Sequence, residues 1–215
     1  MIFDLWDTLV DLWTPEDSAA LRVRMAKRSG VEPDSFHAVW FDTYLQRELA
    51  PLVDDMRMVL AKLGADIEHA EALCDMRREF TRFTLVPRRG AIETLEELGR
   101  RGLKRGLVSV SSGEVAEIWE ETELASHLDA VVLSCVVGVR KPDPRIYSFA
   151  CEALGVAPEE CLYVGDGAGD ELASAANAGM RPVLILRPAQ EEPYWEEAHG
   201  WQPRITSLEQ VLELV

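Results

Sequence analysis

No apolar run among the 215 residues approaches the roughly 20 needed to cross a bilayer, which excludes a helical membrane span. The opening, Met1-Ile2-Phe3-Asp4, has no basic region leading into a long apolar stretch. A secretory signal is therefore not expected, and a cytoplasmic protein is. Cysteine is scarce. Its four copies, Cys74, Cys135, Cys151 and Cys161, show no paired spacing, so they read as reduced, mostly buried thiols and neither bridges nor zinc ligands. The four histidines are scattered and form no metal-type pair. Positive charge is also short: 22 Lys+Arg stand against 38 Asp+Glu, for a net charge of -16. Such a surface repels a phosphate backbone, which excludes nucleic-acid binding through a basic face. It also disfavours small anionic substrates at long range. Any phosphate site must then bring its own positive charge, as a metal or a placed lysine. Repeats and low-complexity linkers are missing as well.

What remains is an ordinary globular composition, 47% hydrophobic and 28% charged, arranged in two kinds of segment. The first residues form a short apolar run of strand type. From about Pro15 to Phe83 the periodicity is helical only. Leu21, Met25 and Arg28, then Phe41, Tyr44, Leu45 and Leu49, then Met56, Val59, Leu60 and Leu63 fall at helical spacing. Pro33, Pro51 and Gly64 punctuate them. From Pro87 onward helices and strands alternate. Helices are predicted at 91–101, 114–121, 144–154 and 171–178, and strands at 105–110, 130–134, 161–164 and 181–186. Ser111 and Glu114 have capping-box spacing, as do Ser207 and Gln210 before a last helix. Asp143 is placed to cap the helix that Pro144 opens. Residues 188–204 read as an acidic, aromatic surface loop. Short apolar strands between helices argue an α/β fold, a doubly wound, Rossmann-like parallel sheet covered on both faces. The helical block is best placed as an insertion after the first strand. The expected domains are an α/β core of 1–12 plus 87–215 and an all-helical cap of 13–86.

In open α/β sheets ligands sit beyond the carboxyl ends of the strands. The first strand is followed by Asp4, Trp6, Asp7 and Thr8, and the 105–110 strand by Ser109, Ser111 and Ser112. Arg140, Lys141, Pro142 and Asp143 follow the 130–134 region. Gly165, Asp166, Gly167, Gly169, Asp170 and Glu171 follow the 161–164 strand. Carboxylates hold Mg²⁺ through oxygen, hydroxyls and lysine hold phosphate, and a carboxylate can itself be a nucleophile that takes up a phosphoryl group. Gly165-x-Gly167-x-Gly169 is no dinucleotide loop, since the third glycine is at the wrong spacing and Asp166 would face the pyrophosphate. Ser111 and Ser112 read as helix caps. Trp6 reads as packing between the two parts of the chain, and Trp13, Trp40, Phe41 and Tyr44 read as core of the helical part.

Four segments in order carry a resemblance: Ile2-Phe3-Asp4-Leu5-Trp6-Asp7-Thr8-Leu9-Val10-Asp11, Gly106-Leu107-Val108-Ser109, Gly138-Val139-Arg140-Lys141-Pro142-Asp143-Pro144, and Val164-Gly165-Asp166-Gly167-Ala168-Gly169-Asp170-Glu171. With them the chain resembles the haloacid dehalogenase superfamily of hydrolases, most closely its phosphatase-like members with a small helical cap. The resemblance implies Mg²⁺-dependent hydrolysis of a small phosphorylated metabolite through an aspartyl-phosphate. It makes Asp4 the nucleophile and a magnesium ligand, the Trp6 carbonyl and Asp166 further ligands, and Asp170 or Glu171 the holder of metal-bound water. Ser109 and Lys141 would grip the phosphoryl oxygens. Two positions depart from the pattern. The family's phosphatases carry a second Asp two residues after the nucleophile as general acid, and here that residue is Trp6. The next is usually Gly, and here it is Asp7, which either serves as the acid from a shifted backbone or turns the chain by bonding its own backbone. The departures keep two alternatives open: a binding or regulatory protein that lost turnover, and a metal-free 2-haloacid dehalogenase, whose relatives carry an aromatic residue at the Trp6 position.

Overall fold

Six parallel strands form one sheet in the computed structural model of the chain, which describes residues 1–187 and 190–215. They are β1 (Ile2–Phe3), β2 (Gly106–Ser109), β3 (Ala130–Leu133), β4 (Leu162–Gly165), β5 (Arg181–Ile185) and β6 (Arg204–Ile205), in the order β3-β2-β1-β4-β5-β6. The order reverses at β1, which places a crevice beyond its carboxyl end. Ile2 and Phe3 point to opposite faces, as successive strand residues must. Phe3 joins Leu5, Leu95, Leu107 and Val164 on one face. Ile2 joins Val108, Tyr147, Tyr163 and Leu184 on the other. Both faces are thus buried, as expected of a parallel sheet.

Between β1 and β2 the chain makes α1 (Pro15–Arg28), α2 (Pro33–Asp42), α3 (Tyr44–Arg47), α4 (Leu52–Lys62) and α5 (Ala70–Thr84). Thr14 caps α1, accepting the Asp17 amide at 3.1 Å, and Pro15 fills the first position. These helices share a third apolar cluster, with Leu21, Met25, Phe36, Trp40, Met56, Leu60 and Leu73 at its centre. After them come α6 (Ala91–Arg100), α7 (Gly113–Ile118), α8 (Ser134–Val137), α9 (Arg145–Leu154) and α10 (Glu171–Asn177). Three Arg–Glu pairs tie α5 to α7 and the turn after it: Arg77 to Glu114, Arg78 to Glu117 at 2.6 Å, and Arg82 to Glu121 at 2.7 Å. Gly113 lets α4 approach α7, because a Cβ there would meet the Leu52 amide nitrogen at 2.3 Å. Among the described residues no helix is long and apolar enough to cross a membrane.

Several local expectations change. The residue before α7 is Ser112, and its side chain makes no capping bond. Glu114 turns instead to Arg77 and to the Ser112 hydroxyl at 2.7 Å, because a buried guanidinium competes better for the carboxylate than an amide does. α9 begins at Arg145 with Pro144, and not Asp143, at the cap position; the Asp143 carboxylate accepts the Arg145 amide at 2.9 Å from one residue further out. Ser207 and Gln210 form the capping box, ahead of a 3₁₀ turn, Leu208–Glu213. The 188–204 segment is more than a surface loop. Pro188 and Ala189 lie outside the described residues. The remainder buries Ala198 against the β4–α10 turn and ends in the edge strand β6, which pairs with β5. Two strand residues are too few to show an alternation in the sequence.

Candidate active site

The ladder fixes the position of Asp4. Phe3 pairs with Leu107 on one side and Val164 on the other, and the Asp4 amide donates to the Val164 carbonyl at 2.8 Å. The carboxyl ends of β1, β2 and β4 are therefore level. Oxygens of Asp4, Asp166 and Glu171 lie within 4.8 Å of one another. Lys141 answers them. Its ammonium donates to Asp4 Oδ1, to Glu171 Oε2 at 2.5 Å and to the Tyr163 hydroxyl at 3.0 Å. Tyr163 in turn donates to Glu171 Oε2 at 2.6 Å, and the Gly167 amide donates to Glu171 Oε1 at 2.9 Å. This approach of Glu171 needs a glycine at 165, where a Cβ would meet Oε1 at 2.2 Å.

One ammonium is thus shared between two carboxylates with a third, Asp166, beside them, and the surplus negative charge shows in the acidities. Burial pushes Asp4 up to about 8, with Glu171 and Asp166 adding to the rise and Lys141 opposing it. Burial, then Glu171, raises Asp166 to about 7. Burial pulls on Lys141 the other way, but Asp4 and Glu171 prevail and hold its ammonium well above the usual lysine range. Hard oxygen donors with excess negative charge are the donor set a divalent cation such as Mg²⁺ takes, so the residues present fit the group the sequence implies.

Asp166 is oriented by a residue the sequence did not single out. Its Oδ1 accepts the Ala168 amide at 3.2 Å and its Oδ2 accepts the Trp195 indole N–H at 2.7 Å. The Trp195 bond stabilises the ionised carboxylate. Trp195→Phe removes the donor and keeps an aromatic ring. Its expected result is about a tenfold loss in Mg²⁺ affinity, the scale seen when a partner of a metal-ligating side chain is lost, read by titration calorimetry. An unchanged affinity would make the contact packing only.

The other expected site residues are placed as follows. Glu171 is fully buried in the cluster, whereas Asp170 is exposed, in left-handed backbone with φ 60, and outside it. Ser109 is buried and bonded to the Ser111 hydroxyl at 2.7 Å, and it is Ser111 that faces the cavity. Ser111 is thus not a helix cap. Asp7 has φ 56, a left-handed conformation that suits glycine and that Asp tolerates. Its carboxylate pairs with Arg187 and accepts the Leu12 amide at 3.3 Å. Trp6 is half-buried and packs edge-on against Trp13, with ring centroids 4.7 Å apart; Trp13 in turn meets Phe80 of α5 at 6.0 Å. Tyr163 was also missed. The residue lies on the same strand face as Gly165, and only the fold brings Lys141 and Glu171 to it.

These groups open on one cavity of about 570 Å³ between the strand ends and the helical layer, a volume suited to a small molecule. Asp4, Lys141, Asp166 and Glu171 line one side, and Trp40, Phe41 and Tyr44 line another.

The family model for haloacid dehalogenase-like hydrolases matches residues 1–179. The chain belongs to this family and is a hydrolase. It is 33% identical over 201 residues to a glyceraldehyde 3-phosphate phosphatase of Methanopyrus kandleri, covering 87% of this chain and 83% of that one. It is 29% identical over 208 residues to an (S)-2-haloacid dehalogenase of Burkholderia cepacia, covering 90% and 85%. Among solved structures, a phosphatase of the family from Thermococcus onnurineus superposes with a TM-score of 0.68 at 22% identity, covering 99% and 95%. That likeness supports the shared fold.

Proposed function

We propose that the chain is a Mg²⁺-dependent phosphatase of a small phosphorylated metabolite, working through an aspartyl-phosphate at Asp4. The observation that carries this reading is the Asp4–Asp166–Glu171 cluster, with buried Asp4 and Glu171 both paired to Lys141 and Asp166 half-buried beside them. Lys141 fixes Asp4 Oδ1. Among the described residues no hydrogen bond engages Oδ2, which leaves that oxygen to attack phosphorus in line as the bond from phosphorus to the substrate's ester oxygen breaks and the alcohol portion departs as its alkoxide or aryloxide. The Lys141 ammonium stabilises charge on the phosphoryl oxygens, and the Ser111 hydroxyl, backed by Ser109, supplies a further donor at the cavity wall. Asp4, the Trp6 carbonyl and Asp166 would hold Mg²⁺, which would supply further neutralisation of phosphoryl charge. Glu171, tied down by Lys141, Tyr163 and the Gly167 amide, keeps Lys141 charged and placed. Water then attacks phosphorus, the bond to Asp4 Oδ2 breaks, and inorganic phosphate leaves with the Asp4 carboxylate regenerated. In this reading 13–86 act as a cap over a core of 1–12 and 87–215, in keeping with an apolar cluster drawn only from α1–α5 and their immediate surroundings.

The test is phosphate release from p-nitrophenyl phosphate with and without metal. EDTA should lower the rate at least ~10²-fold, consistent with a metal supplying several kcal/mol of charge stabilisation, and Mg²⁺ should restore it. Turnover that persists in EDTA overturns the reading. A second reading, dehalogenation of a 2-haloacid, draws on the aromatic Trp6 and on the surrounding Trp13, Trp40 and Trp195. Three clustered carboxylates oppose a departing halide, which ranks it below. Chloride release from a 2-haloacid in EDTA would reverse the order.

A further inference from the structure

The cavity has a second charged wall, on the helical side. Arg47 and Arg77 lie over the same Trp40 ring, 3.6 and 5.3 Å from its centroid, and Arg22 lies 5.2 Å from that of Phe41. All three line the cavity that holds Asp4. Each is braced. Arg47 donates to the Trp40 carbonyl at 2.8 Å and to Thr43 Oγ1 at 3.3 Å, Arg22 donates to Ser18 Oγ at 2.6 Å, and Arg77 donates to Glu114 and to Ser112 Oγ at 3.2 Å. A chain of net charge -16 with only 22 basic residues has thus brought three guanidiniums together on one wall.

Their charge is poorly answered. Among the described residues, Glu114 pairs with Arg77, and no carboxylate lies within ion-pair distance of Arg22 or Arg47. Arg77 is 8% exposed, yet its Nε and that of Arg22 are buried without a hydrogen-bond partner. Of the other acids on this side, Glu48 pairs with Arg140 at 3.0 Å, and Asp55 is buried with both oxygens unpartnered, burial pushing it up to about 8. Burial and the neighbouring Arg77 both pull Arg22 below its ordinary value, the repulsion an anion would relieve. Stacking on Trp40 and Phe41 explains the rigidity of the wall. It does not explain unpaired cations beside a cavity, since burying an unanswered charge costs free energy.

We propose that Arg22, Arg47 and Arg77 form an anion subsite for a carboxylate at the end of the substrate opposite the phosphoryl group, so that the substrates are phosphorylated carboxylic acids. The proposal rests on the phosphatase reading above. A guanidinium fork matches the two oxygens of a carboxylate. A second phosphate would bring two charges against the adverse long-range field, and a carboxylate brings one.

The test uses the Mg²⁺-loaded chain and unreactive ligands, by titration calorimetry. 3-Phosphonopropionate is compared with propylphosphonate, and 4-phosphonobutyrate with butylphosphonate; each pair differs by one carboxylate in place of a methyl. At least one carboxylate ligand should bind about tenfold or more tightly than its partner, the scale of a hydrogen bond to a charged group. Arg22→Gln, which breaks no ion pair, should bring that ratio close to one, and Arg22→Lys should leave it in between. A wild-type ratio near one in both pairs overturns the proposal, as does a ratio that survives Arg22→Gln. If propane-1,3-bisphosphonate binds better than either carboxylate ligand, the second group is a phosphate and the proposal fails. p-Nitrophenyl phosphate carries no carboxylate. Metal-dependent hydrolysis of it beside a ratio near one sinks the subsite alone, whereas neither hydrolysis nor phosphonate binding sinks both readings.

Discussion

Asp4→Asn should lower phosphate release by more than ~10⁴-fold, because losing a covalent nucleophile leaves only binding and electrostatic stabilisation. No phosphoryl-enzyme should be trapped by acid quench. The fold should survive. Asn keeps the shape of Asp, and the Lys141–Glu171 bridge at 2.5 Å remains as a one-to-one pair. A stability readout separates this from simple misfolding. Burial raises Asp4 from 3.8 to about 8, so in the metal-free chain its ionisation is less favourable folded than unfolded. Stability from this group is fully present below about 3.8 and is lost as pH rises through about 8. Asp4→Asn removes that loss. In EDTA its melting temperature should fall less than that of the wild type between pH 5 and pH 8. Full turnover in Asp4→Asn would remove Asp4 from the nucleophile role.

The parts of this molecule legible in the sequence are those with local signatures. Strand ends carrying Asp4, Lys141, Asp166 and Glu171 were found because short apolar runs and turn residues bracket them, and a doubly wound sheet collects whatever follows its strands. The helical block at 15–84 was visible through periodicity and proline punctuation. What stayed hidden depends on contacts between distant segments. Trp195 meets Asp166 across 29 positions, from a segment whose composition reads as solvent-facing. Arg22, Arg47 and Arg77 sit on three helices, at spacings that carry no message until α1, α3 and α5 are packed around one cavity. The turn after β2 brings the Ser111 hydroxyl to the cavity with Ser109 bonded behind it, an order that strand periodicity alone does not reveal. Asp7 was the most ambiguous. Its neighbours in sequence do not reveal Arg187, which follows β5 and takes its carboxylate.

That ion pair bears on the missing general acid. On the phosphatase reading proposed above, with Asp7 engaged by Arg187 and by the Leu12 amide and with Trp6 at the position of the family's usual second Asp, neither position is expected to protonate the leaving alkoxide. Rates should then fall steeply as leaving-group pKa rises, with aryl and acyl phosphates cleaved far faster than alkyl phosphates. Trp6→Asp should raise kcat for alkyl phosphates by ~10²–10⁴-fold, the usual worth of general acid–base help, and change aryl phosphates little. The backbone carbonyl at this position is kept. The substitution removes the edge contact with Trp13 at 4.7 Å. Trp6 is only half-buried, so the loss should fall below the ~3–5 kcal/mol of a fully buried aromatic. A thermal melt checks folding first, and Trp6→Phe serves as the control for lost indole without a new acid. If the wild type cleaves alkyl phosphates as fast as aryl ones, and Asp7→Asn slows the alkyl esters alone, then Asp7 leaves Arg187 to donate the proton and the missing-acid reading is wrong.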